Sequence, residues 1–187
     1  MRIVDWERVP GDPTVQARLV RAIKAGRLFI YPTDTVYGIG CNAAKTAAVR
    51  KLRELTGKSQ PLSVIAPGRA WILQHCVVNF PEWLDKLPGP VTLIVEKKRP
   101  LLAAAAPGPT IGVRIPAHGF TGLVGLAGVP FVTTSANKHG GAVPTKLAEM
   151  DHDLSERVDI IVEHGTLSAK PSTVVDLTGA EPRVVRG

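Results

Sequence analysis

The sequence predicts an α/β protein built on one twisted, mixed sheet. Apolar runs of strand length alternate along the chain with segments of helical period, and no unit recurs at a fixed spacing, which sets aside solenoids and propellers. With 187 residues the chain can bury a core without disulfide or metal staples, and one domain over residues 1–187 is expected.

Asp12 and Pro13 pair a helix cap with a first-turn proline, Val15, Leu19, Val20 and Ile23 follow at helical spacing, and Gly26 closes the first helix. Leu28 to Tyr31 and Val36 to Cys41 read as two strands. Pro32 cannot donate to a ladder, so Thr33, Asp34 and Thr35 are expected to project from a sheet edge. "AAKTAAVRKLRELTG" places Ala47, Val49, Leu52 and Leu55 inward on a helix ending at Gly57, with Thr56 and Lys58 at its exit. "PLSVIA" is a short buried strand, "RAWILQHC" and "PEWLDKL" are short helices, and "VTLIVEK" alternates as a strand. After the loop "AAAAPGPT" comes the strand "IGVRIP", whose arginine needs a partner. A helix near Phe120 to Ala127, the strand and turn "PFVTTSANKHGG", a polar helix from Lys146 to Arg157, and the strands "VDIIVE" and "STVVDL" complete the reading.

Composition narrows the function classes. No window approaches the ~18 apolar residues of a membrane helix, and the first residues mix charges as no signal peptide would, so a cytoplasmic protein is expected. The formal charge of +7 favours phosphate-bearing partners, such as nucleotides, and weak RNA binding. No dinucleotide or P-loop glycine pattern occurs, so any ATP site must be built another way. Cys41 and Cys76 read as buried small hydrophobes, and the five histidines as surface or loop residues outside any metal-ligand pattern. Neither a Gly-x-Ser-x-Gly elbow nor a cysteine with a nearby base marks covalent catalysis.

Four polar features share one architectural position, the end of an apolar strand: Thr33 to Thr35, Arg114, Thr133 to Asn137, and Ser172 with Thr173. Side chains gathered at strand ends are how α/β sheets build sites. Hydroxyls and Asn137 can donate to phosphate or carboxylate oxygens, and a planar guanidinium suits a carboxylate, so the set fits a ligand carrying both groups. The alternative for Arg114 is a buried salt bridge to an acidic side chain.

In order along the chain, "YPTDTVYGIGCNA", "PLSVIA", "LPGPVTLIV", "IGVRIP", "TTSAN" and "STVVDL", followed by a terminal arginine and glycine, resemble the YrdC-like threonylcarbamoyl-AMP synthases in their short, single-domain form. The resemblance implies a twisted open mixed sheet with flanking helices and a deep basic cleft. It also implies a nucleotidyltransferase reaction in which L-threonine, bicarbonate and ATP, with Mg²⁺, give threonylcarbamoyl-AMP and pyrophosphate. A separate complex then transfers the threonylcarbamoyl group to the adenosine beside the anticodon of tRNA. Carried over by position, Thr33, Thr35, Arg114, Thr133 and Ser172 would hold threonine, with Arg114 on its carboxylate. Thr56, Lys58, Ser135, Asn137 and Arg186 would face ATP. Lys58, Arg114, Ser135 and Asn137 would form the catalytic set, with no protein metal ligand assigned.

The chain departs from the family pattern at "LTGKSQPLS". Thr56 stands at a usual lysine, Lys58 at a usual arginine, and about two residues are missing before Pro61. Lys58 would then cover both roles, with Lys51 or Arg53 as nearby cations. Val143 stands where serine is expected and Ile65 where some members have histidine. Two rivals follow from these features: a paralogue of the same fold that binds nucleotide without the synthase reaction, and an RNA-binding module motivated by charge alone.

Overall fold

The computed structural model describes residues 2–167 and 170–187. The strands are β1 (Arg2–Asp5), β2 (Phe29–Tyr31), β3 (Gly38–Gly40), β4 (Ser63–Ile65), β5 (Cys76–Val77), β6 (Val91–Lys97), β7 (Thr110–Arg114), β8 (Phe131–Ser135), β9 (Ile160–Glu163), β10 (Thr173–Asp176) and β11 (Arg183–Arg186). They form one open mixed sheet in the order β1-β9-β2-β3-β8-β4-β7-β6-β10-β11, with β5 added beside β6. The helices are α1 (Pro13–Ala25), α2 (Thr46–Thr56), α3 (Arg69–His75), α4 (Phe120–Ala127) and α5 (His152–Arg157).

Local chemistry sets the helix ends. The Asp12 carboxylate accepts from the Thr14 and Val15 amides, Pro13 opens α1, and Gly26 ends it at φ 82°. Gly57 ends α2 the same way at φ 67°, which turns the chain sharply toward Lys58. Successive strand residues point to opposite faces of the sheet. Phe29, Tyr31, Ile65 and Phe131 therefore pack with Trp6 and residues of α1 and α4 on one side. Ile30, Ile39, Val64 and Val132 pack with α2, α3 and α5 on the other. Burial on both faces explains why the central strands read as unbroken apolar runs.

The α/β reading and most elements agree with the sequence, with several corrections. The Pro32–Thr35 stretch leaves the end of an interior strand pair, since β2 lies between β9 and β3. Helix α2 buries Val49, Leu52 and Leu55 as expected, and Thr56 with them, but Ala47 is exposed, because two residues before Val49 it falls on the opposite side of the helix. The expected helix from Lys146 to Arg157 is a 3-10 turn (Leu147–Glu149) and then α5, because Asp151 leaves the helical path and caps the second piece through the Leu154 amide. The segment from Pro81 to Lys86 is also a 3-10 turn. Strands β1, β5 and β11 were not anticipated; the first and last are short, charged and largely exposed, so they carry little apolar signal. No helix among the described residues is long and apolar enough to cross a membrane.

At Gly40 the sheet closes so tightly that an added Cβ would stand 1.9 Å from the Val132 carbonyl oxygen. Because β8 is itself held by β4, it cannot easily retreat. Gly40→Ala is expected to cost about 2–3 kcal/mol, seen as a lower denaturant midpoint at unchanged m-value.

Candidate functional site

The ends of β2, β3, β4, β6, β7, β8 and β10 surround one cavity of ≈ 230 Å³. Eight serine and threonine residues line it: Thr33, Thr35, Ser63, Thr92, Thr133, Thr134, Ser135 and Ser172. Arg114 and Arg186 are its charged lining, and no aspartate or glutamate among the described residues joins them. The wall thus offers neutral hydroxyls and positive charge, a chemistry suited to anionic ligands.

The Pro-Thr-Asp-Thr turn is fixed by its own side chains. Thr33 donates its hydroxyl proton to the Val36 carbonyl at 2.7 Å and accepts from the Thr35 amide at 3.1 Å. Between them Asp34 faces the other way: one carboxylate oxygen accepts from Arg114 Nη2 at 2.7 Å and the other from the Ala117 amide at 2.9 Å. Both partners of this ion pair are about nine-tenths buried. The guanidinium is not saturated, because Arg114 Nε has no hydrogen-bond partner among the described residues.

Lys58 stands behind the β8 wall. Its ammonium donates to Thr134 Oγ1 at 3.0 Å, to the Ser135 carbonyl at 2.7 Å, to Ser135 Oγ at 3.1 Å and to Asn137 Oδ1 at 2.8 Å. Every one of these acceptors is uncharged. Burial consequently pulls the Lys58 pKa down to about 8. Ser135 donates to Asn137 Oδ1 at 2.6 Å, and Asn137 Nδ2 donates to the Gly141 carbonyl at 2.6 Å, so the Asn137 amide is fixed in orientation.

Of the residues singled out from sequence, Thr33, Thr35, Arg114, Thr133, Ser135, Ser172 and Arg186 come together on the cavity wall. Arg186 also donates to the Ser172 carbonyl, at 3.1 Å through Nη2. Lys58 and Asn137 sit one layer back, bonded to that wall. Thr56 is not brought to the cavity: its hydroxyl donates to the Leu52 carbonyl at 2.8 Å inside α2. The supporting cations are absent as well. Arg53 spends its guanidinium on the carbonyls of Lys58, Gln60, Ala104 and Ala105, and Lys51 is exposed. Val143 does reach the cavity.

Sequence reasoning passed over Ser63 and Thr92, although each is a lone hydroxyl in an apolar strand and met the criterion applied elsewhere. The partner of Arg114 was readable too, since a buried arginine requires an acid and Asp34 lay in the quoted turn. His118 and His164 are loop residues as expected, but they bond each other at 2.9 Å, and His164 reaches Glu7 at 3.0 Å. The Phe120 amide donates to His118 Nδ1, so the proton of neutral His118 is on Nε2. Burial pushes the His118 pKa down to about 4. The thiols of Cys41 and Cys76 are buried, which pushes them up to about 12 and about 11 and leaves them unreactive.

Such an open mixed sheet, gathering hydroxyls and cations at its strand ends, has the chemistry that suits a small molecule with anionic groups. The family model described as "Telomere recombination", the Sua5/YciO/YrdC domain, matches residues 21–187, and the chain belongs to that family. It is 34% identical over 197 residues to the human threonylcarbamoyl-AMP synthase, covering 91% of this chain and 70% of that protein. To the rat threonylcarbamoyl-AMP synthase it is 36% identical, covering 85% of this chain and 61% of that one. Among solved structures, Sua5 of P. abyssi complexed with L-threonine superposes with a TM-score of 0.81 at 27% identity, over all of this chain and 57% of that one. YciO of E. coli gives 0.83 at 24% identity, over 94% of this chain and 89% of its own, and shows the fold alone. The chain thus spans somewhat more than half the length of several relatives it matches.

An anion bound near Lys58 favours its charged form and must raise its pKa. The ammonium is present below about pH 8 and lost above it. NMR titration of the lysine side chains is expected to find one midpoint near 8, to lose it in Lys58→Met, and to move it upward on adding sulfate, whose own charge is constant in this range. A Lys58 midpoint at the ordinary ~10.4 would overturn this account.

Proposed function

We propose that this chain is an L-threonylcarbamoyladenylate synthase, a single YrdC-like domain over residues 1–187 that acts as a nucleotidyltransferase on L-threonine, bicarbonate and ATP. The observation that carries the reading is the half-used guanidinium of Arg114. It is buried in a cavity without carboxylates and has its Nε unpartnered among the described residues. A buried donor left open is costly unless a ligand completes it, and a carboxylate is its natural complement. The names of the human and rat relatives and the threonine complex of the P. abyssi relative support the amino acid as that ligand.

In this reaction the amine of threonine is carboxylated by bicarbonate with loss of water, and a carbamate oxygen attacks the α-phosphorus of ATP while pyrophosphate leaves on the opposite side. Such chemistry asks for alignment and positive charge rather than a protein nucleophile. Arg114 would hold the carboxylate, with Thr33, Thr35, Thr133 and Ser172 around the amino acid. Lys58, Ser135 and Arg186 would face the phosphates, Asn137 would hold Ser135 and Lys58 in place, and Thr56 would support the helix end beneath Lys58. Magnesium enters as part of the ATP substrate. Asp34 is committed to Arg114 and Ala117, and no cluster of three His, Cys, Asp or Glu residues stands together among the described residues. Metal binding through the triphosphate fits that residue set. The product would pass to a separate complex that modifies tRNA, and the net charge of +7 supports weak RNA contact in a cytoplasmic setting.

The test is pyrophosphate release from Mg·ATP with threonine and bicarbonate omitted in turn, followed by mass analysis of the nucleotide. Release that needs both co-substrates and yields the threonylcarbamoyl-adenylate mass is the expected result; ATP binding without release would favour a nucleotide-binding paralogue. Arg114→Lys keeps a cation for Asp34 but loses the planar fork. It is expected to lower kcat/KM for threonine by ~10²-fold, with a thermal midpoint close to that of the parent.

A further inference from the structure

Tyr31 is fully buried at the end of β2. Its ring stacks on Phe120 with centroids 4.4 Å apart and meets Phe131 edge-on at 5.4 Å. The phenol crosses over Gly38, where an added Cβ would come 2.9 Å from its oxygen, and ends 2.6 Å from Thr133 Oγ1. Ring packing and the missing side chain at Gly38 therefore aim one hydroxyl at one residue of the cavity wall. A phenol is the stronger donor of such a pair, and burial keeps Tyr31 protonated.

This contact settles where the Thr133 proton goes. Thr133 Oγ1 accepts from Tyr31, and among the described residues no group takes the proton of Thr133 itself. The open direction is the cavity that Thr133 lines. Across the cavity the order is reversed. Thr33 has given its one proton to Val36, so in the 2.9 Å contact between the two hydroxyls Thr35 is the donor. Thr35 then has only lone pairs left to offer a ligand.

We propose that Tyr31 is a positioning residue: by donating to Thr133 it points the Thr133 proton into the cavity and gives the pocket a hydrogen-bond direction. Thr133 and Arg114 are the donor side, which takes the carboxylate, and Thr35 is the acceptor side, which takes the amine or hydroxyl protons of the amino acid. The inference rests on the synthase reading for the identity of its ligand. It explains how the amino acid is oriented without an acidic residue in the cavity lining, because a ligand entering the other way round would set donor against donor.

Calorimetric binding of L-threonine to the whole chain separates the two ideas. In the parent, measurable binding is expected; none would overturn the synthase reading and this inference with it. If the parent binds, Tyr31→Phe, which keeps the stacked ring, should weaken threonine by ~10-fold while nucleotide affinity stays within about twofold. Thr133→Val should lose at least as much and Thr133→Ser less than about threefold. Tyr31→Phe should add nothing in the Thr133→Val background, because the two act as one unit. In turnover the loss should fall on KM for threonine with kcat nearly unchanged. Parent-strength binding by Tyr31→Phe, or losses that add in the double variant, would overturn the inference while leaving the synthase reading intact. Should Tyr31→Phe not fold, the Thr133 pair still decides, since parent-strength binding by Thr133→Val overturns the proposal.

Discussion

The ion pair between Arg114 and Asp34 is the constraint around which the site is arranged. A charge this deep costs several kcal/mol in lost hydration, and the 2.7 Å contact returns only part of that. A well-packed apolar pair would serve stability as well. What the ion pair adds is location. It ties the end of β7 to the turn between β2 and β3, while the second carboxylate oxygen ties in the loop that leads into α4. Three segments distant in sequence thus meet at one point. The guanidinium that joins them keeps its Nε without a partner among the described residues.

The second cation is held differently. Lys58 has four oxygen neighbours and no acid among its hydrogen bonds, so its charge is not cancelled locally and acts through the β8 wall on whatever the cavity holds. The short loop after α2 makes this geometry: Gly57 turns the chain, and Arg53 pins the Lys58 and Gln60 carbonyls, so that Lys58 points inward. The departure from the family pattern at Thr56 therefore removes one cation and leaves Lys58 as the one held against the β8 wall. Arg53, which looked from sequence like a spare phosphate ligand, is the brace that holds the loop.

The sequence carried the fold far because the determinants are local. Asp12 with Pro13 and the glycines at 26 and 57 marked helix ends, and the runs at Phe29 to Tyr31 and Val91 to Val95 marked buried strands. It carried the cavity wall almost as well, since a hydroxyl or arginine closing an apolar strand is visible without knowing the neighbouring strand. What stayed hidden depends on tertiary direction. Thr56 and Lys58 are two residues apart, yet one is folded back onto its helix and the other turned toward β8, a difference set by the φ of Gly57 and the Arg53 brace. Edge strands β1 and β11 were invisible for the opposite reason: with little burial they need no pattern.

Hydroxyls suit the proposed reaction for a reason that charge counts do not capture. Threonine enters with one positive and one negative group, and after carboxylation it carries two negative groups, so a wall of fixed acids tuned to the first species would repel the second. A threonine or serine side chain can donate or accept at small cost, and arginine keeps its charge at any working pH. A cavity of eight hydroxyls and two arginines can follow the ligand through that change of charge, provided some of its protons are held in place from behind. Thr33 is held by the Val36 carbonyl and Ser135 by Asn137, and Thr133 is held by a phenol that the core packing leaves no room to turn. The apolar face of the sheet thereby sets the direction of hydrogen bonds on its polar end.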